Sequence, residues 1–472
     1  MNSRNSIKKI SASGVLDRYD YDIDFTKDNT NIKAIYAENG CGKTNLLRVV
    51  HCIISGSIKE LQKIFSANFQ KVKIEFSEGV INCTNVGYKT FNIKALDKKE
   101  EIILNEDISI GDLKDISNSE LGNEIQNKYE NIVANISYIT SGQSTFLGVN
   151  RLNDADEYSR YASRFRIKSE GIDTTDLEYS SSGSIIESVL YELSNSLVRN
   201  VQRATIISRG GRGVYYQIAK DIIDNNILSR ADNPQWAKEI ILDKIKEIDE
   251  KKGLVEEYKL INFEEFNSIK RIFKSREIND DRVVSLQPVL IPYFDSLKER
   301  IADLESAATL IESFIESINK MFRDKKIEYS LQGGFNIYWS RSLPYEDVDS
   351  DPIERVQWRR IKRSMLIYPA QLSSGEKHLL LLLSKVIISS TKGDSLLIID
   401  EPEISFGISW QRLFMKYVQE CVGESDLKIL IATHSPMVLE NFYDHDIFVP
   451  KKSVHKIYEN NLFHGLFSHD SK

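Results

Sequence analysis

Lys43 and Thr44 close the run Ala37-Glu38-Asn39-Gly40-Cys41-Gly42-Lys43-Thr44, which brings glycines, a lysine and a hydroxyl into one short segment. Such a run suits phosphate. Glycine lets backbone N–H groups close around phosphate oxygens, and a following helix adds the positive end of its dipole. Lys43 would bridge the β- and γ-phosphates and Thr44 would ligate Mg²⁺. Asn39, Gly40, Cys41, Gly42 and Asn45 complete the expected phosphate-contacting set. Glycine usually occupies the first position of this pattern. Ala37 stands there instead, so the first turn needs a backbone angle that alanine tolerates. Far along the chain, Leu396-Leu397-Ile398-Ile399 runs into Asp400-Glu401-Pro402-Glu403. Asp400 at that strand end could hold the Mg²⁺ water shell. Glu401 could take a proton from an attacking water, a role worth ~10²–10⁴-fold in rate. A second apolar run, Lys428 to Ala432, delivers Thr433-His434-Ser435-Pro436. His434 there could reach a γ-phosphate; a histidine alone is more often a satisfied core residue, but its position after a buried strand in a chain with a phosphate loop favours the functional reading.

The elements that must carry these groups are legible in the spacing. Ile32 to Tyr36 reads as a short buried strand. Leu46, Val50, Ile53 and Ile54 then fall on one helical face, so the glycine run sits between strand and helix as a phosphate loop requires. The four aliphatics before Asp400 suit a central parallel strand covered on both faces. Gln371-Leu372-Ser373-Ser374-Gly375-Glu376-Lys377 precedes a leucine-rich helix. Ser373 and Glu376 have capping-box spacing, so that helix begins there. Its exposed N–H groups, with two hydroxyls and a glycine, form an anion-binding surface or simply a well-capped helix. Ile7 to Phe25 predicts a hairpin, Lys71 to Leu104 an antiparallel layer of alternating strands, and Ile327 to Trp339 a further hairpin. Leu297, Ile301, Leu304, Ala308, Ile311, Ile315, Ile318 and Phe322 alternate by four and three. That is either a coiled-coil seam or a long helix packed on its own domain. A charged helix over about Pro234 to Leu260 could be the other arm of a short antiparallel hairpin.

Composition narrows the classes. An apolar share of 41% over 472 residues supports a real core, and a net charge of −7 gives no global attraction to nucleic acid. Cys41, Cys52, Cys83 and Cys421 lack paired spacing, which argues against a zinc site or disulfide framework. With no apolar leader near the N-terminus, a cytoplasmic location is expected. Two basic clusters, Arg355, Arg359, Arg360, Lys362 and Arg363 around Trp358 and Arg160, Arg164, Arg166 and Lys168, could hold a nucleic-acid backbone. They could equally be a solvated face or pair with acidic segments such as Glu346 to Asp351.

Taken in order, the phosphate loop, the Leu372–Glu376 turn, Asp400-Glu401 and His434 resemble the ABC ATPase superfamily. The usual signature is Leu-Ser-Gly-Gly-Gln. Leu-Ser-Ser-Gly-Glu resembles the variant found in SMC- and RecF-like members. The resemblance implies an α/β fold: an ABC ATPase head with a P-loop mixed sheet and an antiparallel β-layer, interrupted by a helical or short coiled-coil insertion. It implies 1–150 as an N-terminal lobe, 151–325 as the insertion and 326–472 as a C-terminal lobe. It implies ATP and Mg²⁺ as cofactors, and hydrolysis to ADP and phosphate. Ser373, Ser374, Gly375 and Glu376 would serve the nucleotide of a second copy, so that two heads sandwich two ATP. A glutamine at an early strand end should reach the metal and the attacking water. Gln143, after Ala134 to Ile139 read as that strand, is the candidate.

The endings around Asp400 and His434 also resemble the OLD and related prokaryotic defence families. Only 36 residues follow Pro436, with no clustered carboxylates, so a fused TOPRIM nuclease is not expected. The layout is most similar to the AriA-type ATPases of PARIS anti-phage systems, with Septu ATPases a close competitor. That likeness implies a homodimer of heads and a higher homo-oligomer such as a hexamer. It also implies a separate TOPRIM-type, AriB-like effector and a phage-encoded trigger protein, with DNA not required. A RecF- or SMC-like ATPase acting directly on DNA is the alternative.

Overall fold

The computed structural model describes residues 6–27, 30–87, 89–111, 122–140, 143–149, 152, 181–209, 234–274, 280–331, 333–340, 361–362, 364–423 and 425–453. The Arg160–Lys168 cluster, the acidic 346–351 segment and, apart from Lys362, the basic cluster around Trp358 lie outside them.

In chain order, β1 (Ile7–Val15), β2 (Tyr19–Asp24) and β3 (Ile32–Tyr36) lead into α1 (Lys43–Ser55) and α2 (Ile58–Ile64). Strands β4 (Lys71–Phe76), β5 (Gly79–Gly87), β6 (Thr90–Asp97) and β7 (Ile102–Ser109) follow, then α3 (Gly122–Thr140) and β8 (Ser144–Leu147). The inserted helices are α4 (Ser181–Arg209), α5 (Pro234–Lys251), α6 (Gly253–Glu257), α7 (Glu264–Lys274) and α8 (Asp280–Met321). After β9 (Lys325–Ser330), β10 (Gly334–Trp339) and β11 (Leu366–Ile367) come α9 (Ser374–Lys392), β12 (Leu396–Asp400) and α10 (Ile408–Val422). The chain then adds β13 (Lys428–Thr433), α11 (Pro436–Leu439), β14 (Ile447–Phe448) and β15 (Lys451–Lys452).

Two compact units result. The first comprises Met1–Val149, Gly393–Glu403 and Asp426–Lys472; the second Asn150–Lys392 and Ile404–Ser425. The division differs from the 1–150, 151–325 and 326–472 segments expected from sequence. The Ser373–Glu376 turn and α9 fall with the inserted helices, whereas β12 and β13 rejoin the N-terminal unit.

In the first unit, one sheet has the order β14-β3-β13-β12-β8, and every described pairing in it is parallel. Strand β12, an interior strand between β13 and β8, is buried at every residue, as its unbroken aliphatic run predicts. A second, antiparallel sheet has the order β15-β2-β1-β4-β5-β6-β7. Helix α1 joins the two into one core: Leu46, Leu47, Val50 and Ile53 share a cluster with Ile10, Val72 and Ile74 and with Leu396, Ile398 and Leu430. Beneath β3, wholly buried Lys33 meets Asp446 at 2.5 Å, and Thr30 Oγ1 donates to the same carboxylate at 2.6 Å. This ion pair ties the segment after β13 to the strand that carries the phosphate loop.

In the second unit, Leu297, Ile301, Leu304, Ala308, Ile311, Ile315, Ile318 and Phe322 are all buried. The seam packs within its own unit, against α5, α4, α10 and β9. Helices α5 and α8 also run in the same direction, contrary to an antiparallel hairpin. Lys244 pairs with Asp295 and Glu247 with Lys298, so both partners advance together along the chain. Tyr258, beyond α5, meets Glu312 further along α8. Among the described residues, no helix is long and apolar enough to cross a membrane.

Candidate functional site

The loop after β3 is shaped for an anion. Gly40 and Gly42 have φ of 85° and 82°, in the left-handed region. A Cβ on Gly42 would also come within 2.7 Å of Val15 Cγ1, so only glycine fits. Ala37, in the position usually held by glycine, needs no positive φ. Gly42 caps α1 without a side-chain bond, and the first turn holds no acidic residue. The first N–H groups of a 13-residue helix are therefore left to meet phosphate. The Tyr21 hydroxyl donates to the Cys41 carbonyl at 2.5 Å and pins the loop. Burial pushes that phenol well above its usual range. Sequence reasoning missed this tyrosine, because β2 offers no motif. Lys43 is buried, its ammonium donating to the carbonyls of Ala37 at 2.6 Å and Glu38 at 3.1 Å. Asn39 and Gly40 are exposed and Asn45 is half-buried, lining the outer side.

The parallel register brings the second half of the site to this loop. Ala432 of β13 stands beside both Asp400 of β12 and Ile35 of β3, so the three strand ends lie level. Thr44 Oγ1 consequently donates to Asp400 Oδ2 at 2.6 Å, across 356 residues of sequence. A hydroxyl and a carboxylate in contact are the hard-oxygen pair that Mg²⁺ prefers, so Thr44 and Asp400 fit the expected ion. Among the described residues, there is no cluster of three or more His, Cys, Asp or Glu suited to a transition metal.

Glu401 follows with φ of 50°, a left-handed angle costing on the order of 1–2 kcal/mol in a residue with a Cβ. Its N–H donates to the Ala432 carbonyl at 2.8 Å, which fixes the turn. Its carboxylate Oε1 lies 3.7 Å from His434 Nδ1, and the His434 side chain is 46% exposed. His434 thus stands partly open beside a carboxylate rather than sealed in the core. Glu403, which sequence reasoning did not single out, is 3.2 Å from the same ring nitrogen.

Gln143 is not part of this arrangement. Residues 134–139, read as a strand, belong to α3, whose Tyr129, Ile132, Ile136 and Ile139 form a fully buried face at helical spacing. The strand is β8, and Gln143 precedes it. Its carbonyl accepts from Ser395 N at 2.9 Å, at the start of β12. At ~3.3 Å rise per residue, that is about 16 Å from the strand end where Asp400 sits.

In the second unit, the expected capping box forms. Ser373 N and Oγ both donate to Glu376 Oε2 at 2.8 Å, and Glu376 N donates to Ser373 Oγ at 3.3 Å. Lys325 holds both oxygens of Glu376, at 2.6 and 2.9 Å. Burial alone would raise the Glu376 pKa, but Lys325 and Ser373 outweigh it and hold the carboxyl below its usual range. Glu376 is therefore turned inward to brace the turn, rather than outward to meet a nucleotide as expected from sequence. Ser373 and Ser374 remain exposed at the head of α9. A Cβ on Gly375 would meet the Ser405 carbonyl at 2.7 Å, which explains its glycine.

A family model described as "AAA domain, putative AbiEii toxin, Type IV TA system" matches residues 239–440, a span that includes the Ser373–Glu376 turn, Asp400, Glu401 and His434. No curated protein matches the chain in sequence. Among solved structures, the chain is similar to an Smc head domain with an extended coiled coil bound to the C-terminal domain of ScpA, from Pyrococcus furiosus. The identity is 12% and the TM-score 0.35, covering 95% of this chain and 96% of that one. An SmcHead bound to the C-winged helix domain of ScpA gives 9%, 0.40, 95% and 98%. An Smc head domain with a coiled coil and joint from Pyrococcus yayanosii gives 13%, 0.35, 95% and 97%.

The fold and the site define a P-loop ATPase with an inserted helical unit. The glycine loop, the Thr44–Asp400 oxygen pair and Glu401 meet at the ends of three parallel strands. The AAA-domain match over residues 239–440 supports the same activity.

Proposed function

We propose that the chain is an ATP-driven clamp in which two copies close on two nucleotides. The P-loop of one copy holds the triphosphate, and the Ser373–Gly375 turn of the other covers its γ-phosphate. The observation that carries the proposal is the Thr44–Asp400 contact at 2.6 Å, with Glu401 next in sequence. That contact supports reading Thr44 and Asp400 as the metal ligands, with Glu401 beside them as the base.

Lys43 exchanges its two carbonyl partners for phosphate oxygens, which compensates its burial. Thr44 and Asp400 hold Mg²⁺, which supplies charge neutralisation at the phosphates when bound. Glu401 accepts a proton as water attacks the γ-phosphorus. The new P–O bond forms as the bond to the β-phosphate oxygen breaks, leaving ADP and phosphate. Ser374 would donate to the γ-phosphate of the neighbouring copy, joined by Ser373 once its hydroxyl turns away from Glu376, so closure depends on ATP and hydrolysis reopens the pair.

A RecF- or SMC-like role, with the clamp acting directly on DNA, is supported by the Leu-Ser-Ser-Gly-Glu turn. A second reading is favoured by the matched family's description as part of a type IV toxin–antitoxin system. In that reading the clamp belongs to a prokaryotic defence system of the AriA kind and holds a separate toxic nuclease until a phage protein releases it. Sedimentation of Glu401→Gln with Mg–ATP tests the clamp: it should form a dimer that ADP does not support, and a monomer at saturating ATP would refute it. DNA-stimulated, salt-sensitive turnover would select the DNA role. A co-purifying nuclease with turnover indifferent to DNA would select the defence role.

A further inference from the structure

Glu403 is buried, with 5% of its side chain exposed, and every partner it has belongs to the end of β13. Its Oε1 accepts from Thr433 Oγ1 at 2.7 Å and from the backbone N–H of His434 at 3.0 Å. The same oxygen lies 3.2 Å from His434 Nδ1. Its Oε2 is buried and has no hydrogen-bond partner among the described residues. The left-handed turn at Glu401 directs both Glu401 and Glu403 toward one imidazole, at 3.7 and 3.2 Å from the same nitrogen.

An imidazole nitrogen this close to a carboxylate oxygen is favourable only if it carries the proton; a lone pair would face another lone pair. The hydrogen bond made by one ring nitrogen decides which tautomer the other presents. We propose that Glu403 is a positioning residue for His434: it selects the Nδ1–H tautomer and fixes the ring's orientation. With Nδ1 turned to Glu403, the ring offers Nε2 toward the nucleotide or the water beside it. Glu403, the nearer of the two carboxylates, takes the Nδ1 proton in place of Glu401. Glu403 touches no reacting atom and acts only through the ring. The catalytic half of this role rests on the ATPase site above; the tautomer half does not.

The test is a double-mutant cycle joined to a spectroscopic readout. Glu403→Gln keeps an acceptor oxygen for Thr433 and the His434 backbone but removes the charge. It should lower kcat about tenfold, less than the ~10²–10⁴-fold of a proton-handling group itself because the ring stays in place, with KM for ATP changed less than about twofold. In a His434→Ala background the same substitution should cost less than about twofold, because the ring it serves is gone. Losses that multiply would overturn the proposal and make Glu403 a brace for the strand end. Nitrogen-15 NMR of the selectively labelled, nucleotide-free protein should show His434 protonated at Nδ1 in the wild type, with that preference weakened in Glu403→Gln. A dominant Nε2–H tautomer in the wild type would also overturn it. This readout needs no turnover, so a wild-type protein that hydrolyses nothing would sink the ATPase reading without touching the tautomer.

Discussion

Each residue at the triphosphate site has one replaceable physical property. Lys43→Ala removes the only side-chain cation described within the phosphate loop and should weaken ATP binding at least ~100-fold, measured by titration calorimetry. Glu401→Gln keeps shape and hydrogen bonding but loses basicity. It should lower turnover by ~10²–10⁴-fold with ATP affinity unchanged, as equilibrium binding and single-turnover assays would show; unchanged turnover would remove it as the base. A histidine away from the site sets a pH dependence. His51, on α1, stacks on Phe146 and bonds Ser144 Oγ through Nδ1 at 2.7 Å. Burial lowers its pKa from 6.5 to about 4. Between those values the unfolded chain binds a proton that the folded chain does not, so stability falls as pH drops through that window. His51→Gln should flatten the dependence there, seen in urea unfolding at stepped pH.

Elements decide how these groups meet. The buried Lys33–Asp446 pair couples β3 to the segment after β13. Removing one partner leaves the other charge buried and alone, so Asp446→Ala should cost about 3–5 kcal/mol in urea unfolding. Gly375→Ala should strain the head of α9 against Ser405 and reduce closure while leaving the P-loop of the same copy able to bind ATP. Most of these elements were legible in sequence, because burial on both faces of β12 and β13, the helical period of α1 and the cap of α9 each leave a local pattern. Gln143 was misplaced because Ile136, Ser137, Tyr138 and Ile139 read as a strand when taken alone. The helical period appears only when Tyr129 and Ile132 are included. The direction of α5 against α8 was hidden for a different reason. Apolar spacing gives a helix its face but not its sense, and here the sense is set by the paired charges at Lys244, Glu247, Asp295 and Lys298. Glu403 escaped notice because its role depends on contact with His434, 31 residues away.

At the scale of the whole molecule, the chain carries the exposed Ser373–Ser374 turn in one unit and the phosphate loop in the other. In the proposed clamp a second copy brings the two to one nucleotide. Ser374→Arg should bind ATP normally yet stay monomeric and inactive, because the longer cation occupies the turn that must receive a γ-phosphate. Lys43→Ala should be inactive for the opposite reason, having an intact turn but no nucleotide of its own. Mixing the two inactive variants tests the central claim most directly. In a mixed pair the P-loop of the Ser374→Arg copy faces the turn of the Lys43→Ala copy, which rebuilds one intact site. Equimolar mixing should therefore restore about a quarter of wild-type turnover, as half the pairs are mixed and each has one of two sites. No recovery at concentrations where the wild type hydrolyses ATP, or full activity of Ser374→Arg alone, would contradict a site shared between two molecules.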